Sequence, residues 1–212
     1  YKRQSRNMVA IAQDGRVVLV NSVRLTDAGL IALEQLGEVT DVIRLAGHHG
    51  ADDPFYKDRY GATVHAVEGH TYFAGVNPKK GATYFEADRF VTAGSELPIE
   101  GASLYVVDTN PPEAILRIPA SGGTLIAGDS LQHWHEVDPY FNAVSGFAMK
   151  MMGFIKPYQL GPAWAKQLKP DRDQVAGILD LDFQNVLPSH GDVVRGDGAE
   201  KFRPVIEAYV GR

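Results

Sequence analysis

The amino-acid sequence predicts an α/β fold in which two layers of sheet are covered by helices. The chain has 212 residues, of which 44% are hydrophobic and 22% charged, so it can bury a sizeable core. Its 22 glycines and 12 prolines supply many turns, which favours numerous short strands over a helix bundle. Strand-prone runs come first, helical patterns come later, and no repeat or linker interrupts them. We therefore expect residues 1–212 to form a single domain.

The first part of the chain alternates strands with helices. The Asp14-Gly15 pair lies between two β-prone runs and indicates a hairpin turn. Thr26 is a favourable helix N-cap, and Gly37 can adopt the left-handed conformation that ends a helix. Strands are predicted over residues 7–12, 16–20, 39–46 and 62–67, and helices between 26 and 37 and over 54–60.

The second part of the chain is predicted to start with a three-stranded meander and to end in helices. Residues 69–101 show little periodicity and carry no detailed prediction. In the last helix, Phe202 and Ile206 face inward, and Pro204 is expected in or near the first turn. Strands are predicted over residues 103–107, 114–118, 124–127 and 185–187, and helices over 138–154, 162–168, 171–181 and 199–210.

Charge and composition exclude several classes of function. The net charge is −5 and the basic residues are scattered, so we expect no nucleic-acid partner. The absence of cysteine excludes disulfides and thiolate ligands and is typical of a reducing compartment, so a cytoplasmic location is expected. No apolar run approaches the roughly 20 residues that span a bilayer, so no membrane association is expected. The sequence contains no nucleophile elbow, phosphate-binding loop or dinucleotide fingerprint.

Histidines and carboxylates follow three of the predicted strands. The run His48-His49-Gly50-Ala51-Asp52-Asp53 comes after residues 39–46, Gly128-Asp129 after 124–127, and His190-Gly191 after 185–187. Loops at strand ends present side chains from a rigid scaffold, so these three loops are the candidate functional site.

The order and separation of the three loops resemble the metallo-β-lactamase fold superfamily. The resemblance extends over nearly the whole chain and is most specific in residues 181–191, LDFQNVLPSHG, which are similar to the segment that leads to the family's last metal-binding histidine. It implies a four-layer αββα sandwich. The chain resembles a divergent branch, because its first loop departs from the family's H-x-H-x-D-H motif: aligned from His48, it has Gly50, Asp52 and Asp53 at the next three motif positions.

An alignment shifted by one residue would place His49 at the second histidine position, but it retains that ligand alone, so the first alignment is preferred. The loop that carries the family's next metal histidine corresponds to residues 108–113, which contain no histidine, although Asp108 and Glu113 offer carboxylates. Asp129 matches the family's bridging carboxylate and His190 its last ligand. The metal ligands implied by the resemblance are His48, Asp52, Asp53, Asp129 and His190.

This reduced ligand set limits the cofactor. His48 alone remains of the family's three-histidine half of the site, and the other half has three carboxylates and one imidazole: Asp52, Asp53, Asp129 and His190. Such a half-site favours hard ions over tetrahedral zinc, so we expect either one divalent ion (Mn, Fe or Zn) or none. Without a metal, the carboxylates would repel one another unless a cation neutralises them. The basic residues close in sequence are Arg44, Lys57, Arg59 and Arg195.

Two functions from different classes follow from the resemblance. The first is a mononuclear metal-dependent hydrolase of unknown substrate, in which Asp52 orients the attacking water or accepts its proton. The second is a non-catalytic binding or scaffold module that keeps the fold without a metal. Either would bind a small molecule, and the residues Phe141, Phe147 and Phe154 with their neighbouring methionines suggest a helix face, an apolar pocket or a homodimer contact.

Some of these residues also have a purely structural interpretation. Asp53 followed by Pro54 is a favourable start for a helix, with Asp53 as its N-cap. The alternating pair His133 and His135 could chelate an ion, but such a pair more often lies in a loop that packs Trp134 against the core.

Overall fold

A computed structural model describes residues 5–70 and 86–211 of the chain. Within these ranges the strands are β1 (Val9–Gln13), β2 (Arg16–Val20), β3 (Glu38–Arg44), β4 (Thr63–Val67), β5 (Arg89–Val91), β6 (Ser103–Val107), β7 (Glu113–Ile118), β8 (Thr124–Ala127), β9 (Leu131–Gln132), β10 (Gln159–Leu160) and β11 (Asn185–Pro188). The helices are α1 (Asp27–Glu34), α2 (Asp53–Tyr60), α3 (Ala143–Met151), α4 (Arg172–Gly177) and α5 (Gly198–Val210). Shorter helical turns occur at Ala120–Gly122, Trp164–Leu168 and Ile178–Leu181.

The strands form two main sheets. The first has the order β1-β2-β3-β4-β5, with β1 antiparallel to β2 and the following pairs parallel. The second has the order β11-β8-β7-β6, in which β6, β7 and β8 form the predicted antiparallel meander and β11 pairs parallel with β8. Strands β9 and β10 form a separate short ladder.

Strand β2 shows how the two faces of the first sheet are used. Successive side chains of a strand point to opposite faces, and all four residues from Val17 to Val20 are apolar and buried. Val18 and Val20 pack between the sheets, whereas Val17 and Leu19 pack under the helices. A strand that is covered on both sides is apolar throughout, as in other largely parallel sheets.

Three apolar clusters define the layers. Residues of both sheets fill the central cluster, and helices α1 and α2 cover the first sheet through Leu30, Leu33 and Tyr56. Helices α4 and α5 cover the second sheet, where Val175, Phe202 and Ile206 pack on strand residues. The layers are therefore helix, sheet, sheet and helix, and the predicted four-layer arrangement is confirmed.

The predicted starts and turns mostly agree with the structure. Asp14 and Gly15 form the β1–β2 turn with φ of 51° and 76°, and the Thr26 side chain accepts a hydrogen bond from the Gly29 amide at 3.3 Å. Gly37 has a different role from the predicted helix stop, because a Cβ there would lie 2.4 Å from the Gly15 carbonyl oxygen. It permits close contact with the hairpin turn.

The helical predictions were less accurate in the second half of the chain. The helix predicted over 138–154 is confined to α3, the one predicted over 162–168 is a short turn, and Pro204 lies in the middle of α5. Helix α3 does not cover a sheet with its apolar face: Val144, Phe147 and Met151 are exposed. Within the described ranges, no helix combines the length and apolar character that a membrane span requires.

Candidate metal centre

The ends of strands from both sheets meet at one rim of the sandwich. After β3, the Leu45 carbonyl accepts a hydrogen bond from the Ala114 amide of β7 at 2.8 Å. After β2, the Asn21 side chain donates to Ser189 Oγ at 2.8 Å and accepts from the Leu45 amide at 2.9 Å. These bonds connect the loops after β2, β3 and β11, so side chains from distant parts of the chain converge there.

Three polar side chains come together at this rim: His49 after β3, Asp129 after β8 and His190 after β11. Asp129 Oδ1 lies 3.3 Å from His49 Nε2 and 3.1 Å from His190 Nε2. One ligand atom from each residue lies within 4.8 Å of the others, and both histidines are buried. We refer to His49, Asp129 and His190 as the His-Asp-His cluster.

The geometry of this cluster fits a divalent ion. Ligand atoms that each lie about 2.0–2.2 Å from one ion, at tetrahedral or right angles, are about 3.0–3.5 Å apart. Both contacts of Asp129 Oδ1 fall in this range. Two imidazoles and one carboxylate are donors that suit zinc, manganese and ferrous iron.

The charges in the cluster favour the protonation states that bind a metal. Burial opposes ionisation of Asp129, but His49 and His190 hold the pKa of its carboxyl well below the usual range. Burial lowers the pKa of His49, and the neighbouring Asp129 offsets this only in part. At neutral pH the metal-free protein therefore presents an ionised carboxylate and an uncharged imidazole, as coordination requires.

Glu113 lies beneath the cluster at the start of β7. It is 2% exposed, and its Oε1 accepts a hydrogen bond from the Ser130 amide at 2.6 Å. Burial and the nearby charge of Asp129 raise the pKa of Glu113 well above its ordinary value. Because Ser130 directly follows Asp129, Glu113 positions the loop that carries the cluster's carboxylate.

Among the residues predicted as ligands, the structure brings together Asp129 and His190 but not the first-loop residues. His48 is exposed at a turn in which the His49 amide donates to the Ala46 carbonyl at 3.1 Å, and this turn directs His49 inward. His49, and not His48, therefore belongs to the cluster, and the shifted alignment is the one that includes His49 as a ligand. The sequence could not show which of the two adjacent histidines faces the cluster, because the turn decides which of them is buried.

The carboxylates of the first loop, Asp52 and Asp53, contact other side chains of the protein. Asp52 Oδ2 lies 3.7 Å from Arg6 Nη2, and Asp53 Oδ1 accepts a hydrogen bond from Ser22 Oγ at 2.6 Å. Neither belongs to the His-Asp-His cluster. Asp53 is also not the N-cap: it is the first residue of α2, and Asp52 precedes it without making a capping hydrogen bond.

Arg44 carries a buried positive charge next to Asp53. Arg44 and Asp53 are both completely buried. A Cβ on Gly50 would lie 3.0 Å from Arg44 Nη1 and 2.6 Å from Asp53 Oδ2, which places the guanidinium and the carboxylate on the same side of this loop. Of the other basic residues considered, Lys57 pairs with Asp88 and Arg59 with Glu34.

The loop with His133 and His135 supports the cluster without joining it. His133 Nδ1 accepts a hydrogen bond from the Tyr158 amide at 3.1 Å, and His135 Nδ1 lies 3.3 Å from Asp192. The Trp134 ring is stacked near His190, with centroids 6.4 Å apart. The loop therefore helps to orient His190.

Gly191 provides a test of how closely the His190 loop is packed. It has φ of +88°, and a Cβ there would lie 2.0 Å from the His133 carbonyl oxygen. Gly191→Ala should lower the free energy of unfolding by about 2–3 kcal/mol, measured by urea denaturation, because strain and collision add. Gly196 is the matched control: its φ is +82° but its Cβ position has no atom within 4 Å, so Gly196→Ala should cost only about 1 kcal/mol. Equal losses would contradict close packing at His190.

His70 makes the stability of the fold sensitive to acid. Its Nε2 donates to the Pro112 carbonyl at 2.6 Å, and burial, with the charge of Arg44, lowers its pKa from 6.5 to about 4. Between these two pH values the unfolded chain binds a proton that the folded chain does not. The free energy of unfolding should therefore decrease as the pH is lowered from about 6.5 to 4, by up to about 3 kcal/mol. His70→Gln should reduce this loss in urea titrations between pH 7 and 4. An unchanged slope would show that His70 does not cause it.

No model of a protein family and no curated protein matches the chain. Solved structures do match. The BLEG-1 B3 metallo-beta-lactamase is 15% identical, with 95% of this chain and 94% of that chain covered and a TM-score of 0.61. The FIM-1 metallo-beta-lactamase from Pseudomonas aeruginosa in its mono-zinc form is 13% identical (97% and 84% covered, TM-score 0.57). ETHE1 from Myxococcus xanthus is 18% identical (96% and 86% covered, TM-score 0.53).

These similarities identify the architecture: the chain has the metallo-β-lactamase fold. At these identities the comparison concerns the fold and not the activity. The fold expected from the resemblance is therefore confirmed, and a His-Asp-His cluster that could hold a metal lies at its rim.

Proposed function

We propose that the protein is a hydrolase that depends on one divalent metal ion. The observation that carries this proposal is the convergence of His49, Asp129 and His190 from three separate loops, with Asp129 Oδ1 within 3.3 Å of both imidazole nitrogens. Three protein ligands leave further coordination positions for water and substrate, which is the pattern of catalytic rather than structural sites.

In this proposal His49 Nε2, His190 Nε2 and an oxygen of Asp129 would hold the ion. A divalent ion there would supply Lewis acidity for attack of water on an ester, amide or phosphoester. The second oxygen of Asp129 would orient the attacking water by accepting a hydrogen bond from it, because this carboxyl stays ionised at neutral pH. Asp52 is not assigned this role, since its carboxylate faces Arg6.

Metal analysis and hydrolysis assays test the proposal together. Protein purified without chelator should contain about one Mn, Fe or Zn ion per chain by mass spectrometry. Hydrolysis of 4-nitrophenyl acetate and bis(4-nitrophenyl) phosphate should be measured before and after EDTA treatment. We expect activity toward at least one ester, lost with the metal and restored by its return. A protein that binds none of the three ions would favour the non-catalytic binding module.

The donor set favours one second candidate function. Two histidines and one carboxylate are also the ligands of non-haem ferrous oxygenases. Iron in anaerobically purified protein, together with iron-dependent oxygen consumption and no ester hydrolysis, would replace hydrolysis by oxidation as the proposed reaction.

A further inference from the structure

Residues 5–7, which we call the N-terminal strap, lie along the His190 loop. The Ser5 amide and hydroxyl both donate to Asp138 Oδ2 at 2.6 Å. Asn7 Nδ2 donates to the carbonyl oxygens of Pro188 at 3.0 Å and Gly191 at 2.6 Å. The strap is thus fixed on both sides of Arg6, and one of its anchors flanks His190.

Arg6 extends from the strap toward the opposite loop. Its Nη2 lies 3.7 Å from Oδ2 of Asp52, three residues beyond His49, so the side chain bridges the His190 loop and the His49 loop. This separation is too long for a hydrogen bond, and the Arg6 side chain is 27% exposed. Arg6 therefore combines a chain that is anchored on both sides with a guanidinium that solvent can reach.

The surroundings of Arg6 are mostly acidic. Asp52, Asp129 and Asp138 all lie at this rim, and the chain carries a net charge of −5. An anionic group that lies beside the proposed metal ion, and not on it, would be repelled by these carboxylates unless a cationic side chain faces it. An arginine fork binds carboxylate and phosphate groups through paired hydrogen bonds, which a lysine cannot reproduce.

We propose that Arg6 binds an anionic group of the substrate, a carboxylate or a phosphate, next to the His-Asp-His cluster. This inference rests on the proposed function and gives its substrate class: esters or amides that carry such an anionic group. Arg6 is a specificity-determining residue in this account. Its ion pair with Asp52 competes with the substrate for the guanidinium.

The competition with Asp52 can be tested, because substitutions of Arg6 and of Asp52 should change phosphate affinity in opposite directions. If Arg6 binds anions, Arg6→Gln should weaken binding of inorganic phosphate by about tenfold or more, and Asp52→Asn should strengthen it. If the Arg6–Asp52 pair is only structural, both substitutions should act in the same direction. Arg6→Lys should give an intermediate affinity, because it keeps the charge but not the fork.

The experiment uses isothermal titration calorimetry with phosphate and with acetate, on the metal-free and the cobalt-loaded protein. Arg24→Gln is the control, since Arg24 is a surface cation stacked 3.4 Å from the centroid of the Phe55 ring, and it should leave phosphate binding unchanged. Phosphate bound more tightly than acetate would identify a phosphate substrate, and the reverse a carboxylate. Phosphate and acetate affinities that Arg6→Gln does not change in either form would overturn the proposal.

Failure of the proposed function would appear separately. A wild-type protein that takes up no cobalt would contradict the metal site, whatever the anion affinities. Full cobalt uptake with anion affinities that are independent of Arg6 would contradict only the role of Arg6. Cobalt uptake should itself be unchanged in Arg6→Gln, because Arg6 is not among the proposed ligands.

Discussion

Asp129→Asn should lower the affinity of the protein for zinc or manganese by more than about 100-fold. Mutation of residues that only hydrogen-bond to a metal ligand usually costs less than this. Asp129 is the member that contacts both histidines, and the amide removes the charge that neutralises the ion. The side chain keeps its size, so the loop should keep its fold. Affinity is measured by competition with a chromogenic chelator, and His190→Ala should cause a similar loss.

The neighbouring histidines of the first loop provide the matched control for this prediction. His49→Ala should reduce metal affinity as strongly as His190→Ala, whereas His48→Ala should leave it within about twofold, because His48 is exposed outside the cluster. The reverse result would restore the alignment from His48 and would contradict the proposed ligand set.

Asp53→Ala should lower the free energy of unfolding by about 3–5 kcal/mol, as expected when one partner of a buried charge pair is removed. The substitution removes the acceptor of the Ser22 hydroxyl and the carboxylate that lies next to the buried Arg44. The loss is measured by urea denaturation of the metal-free protein, so that no change in metal binding contributes.

Asp52 provides the control at the adjacent position. Its contact with Arg6 is 3.7 Å long and partly exposed, so Asp52→Ala should cost less than about 1 kcal/mol. The double variant Asp53→Ala with Arg44→Met should recover part of the stability, because it removes the buried charge together with its partner. Equal losses for Asp52→Ala and Asp53→Ala would show that burial of Asp53 does not matter.

The sequence predicted the fold best where the turn residues and the pattern of apolar residues indicate the same strand. The apolar run from Val17 to Val20 and the Asp14-Gly15 turn specify a hairpin whose second strand is buried on both faces. Strand β5 was missed because its three residues, Arg89 to Val91, are too few to show a period and two of them are exposed. Helix α3 is shorter than the helix predicted over 138–154, and its apolar residues Phe147 and Met151 are exposed.

The site was predictable where a residue of the cluster closely follows a strand. Asp129 and His190 each come two residues after the end of one of two neighbouring parallel strands, which end at the same rim. His49 lies further from its strand, in a turn whose path depends on a distant residue: a Cβ on Gly47 would lie 2.2 Å from Pro111 Cγ. Motif spacing cannot represent such a contact, and so it favoured His48.

Charged groups buried in the rim are a second feature that local patterns describe poorly. Arg44 ends an apolar strand, which indicates a buried cation, but its closeness to Asp53 depends on how the loop folds back over it. The anchors of Arg6 join residues more than 130 positions apart, for example Ser5 and Asp138. Neither contact leaves a periodic signal in the sequence.

Anomalous X-ray scattering from crystals grown with manganese or zinc would locate the ion. We expect one strong peak per chain, about 2.0–2.3 Å from His49 Nε2, His190 Nε2 and an oxygen of Asp129. A peak coordinated by His48, Asp52 or Asp53 would contradict this ligand set. The absence of any peak at the three loops after a soak at a saturating metal concentration would also contradict it.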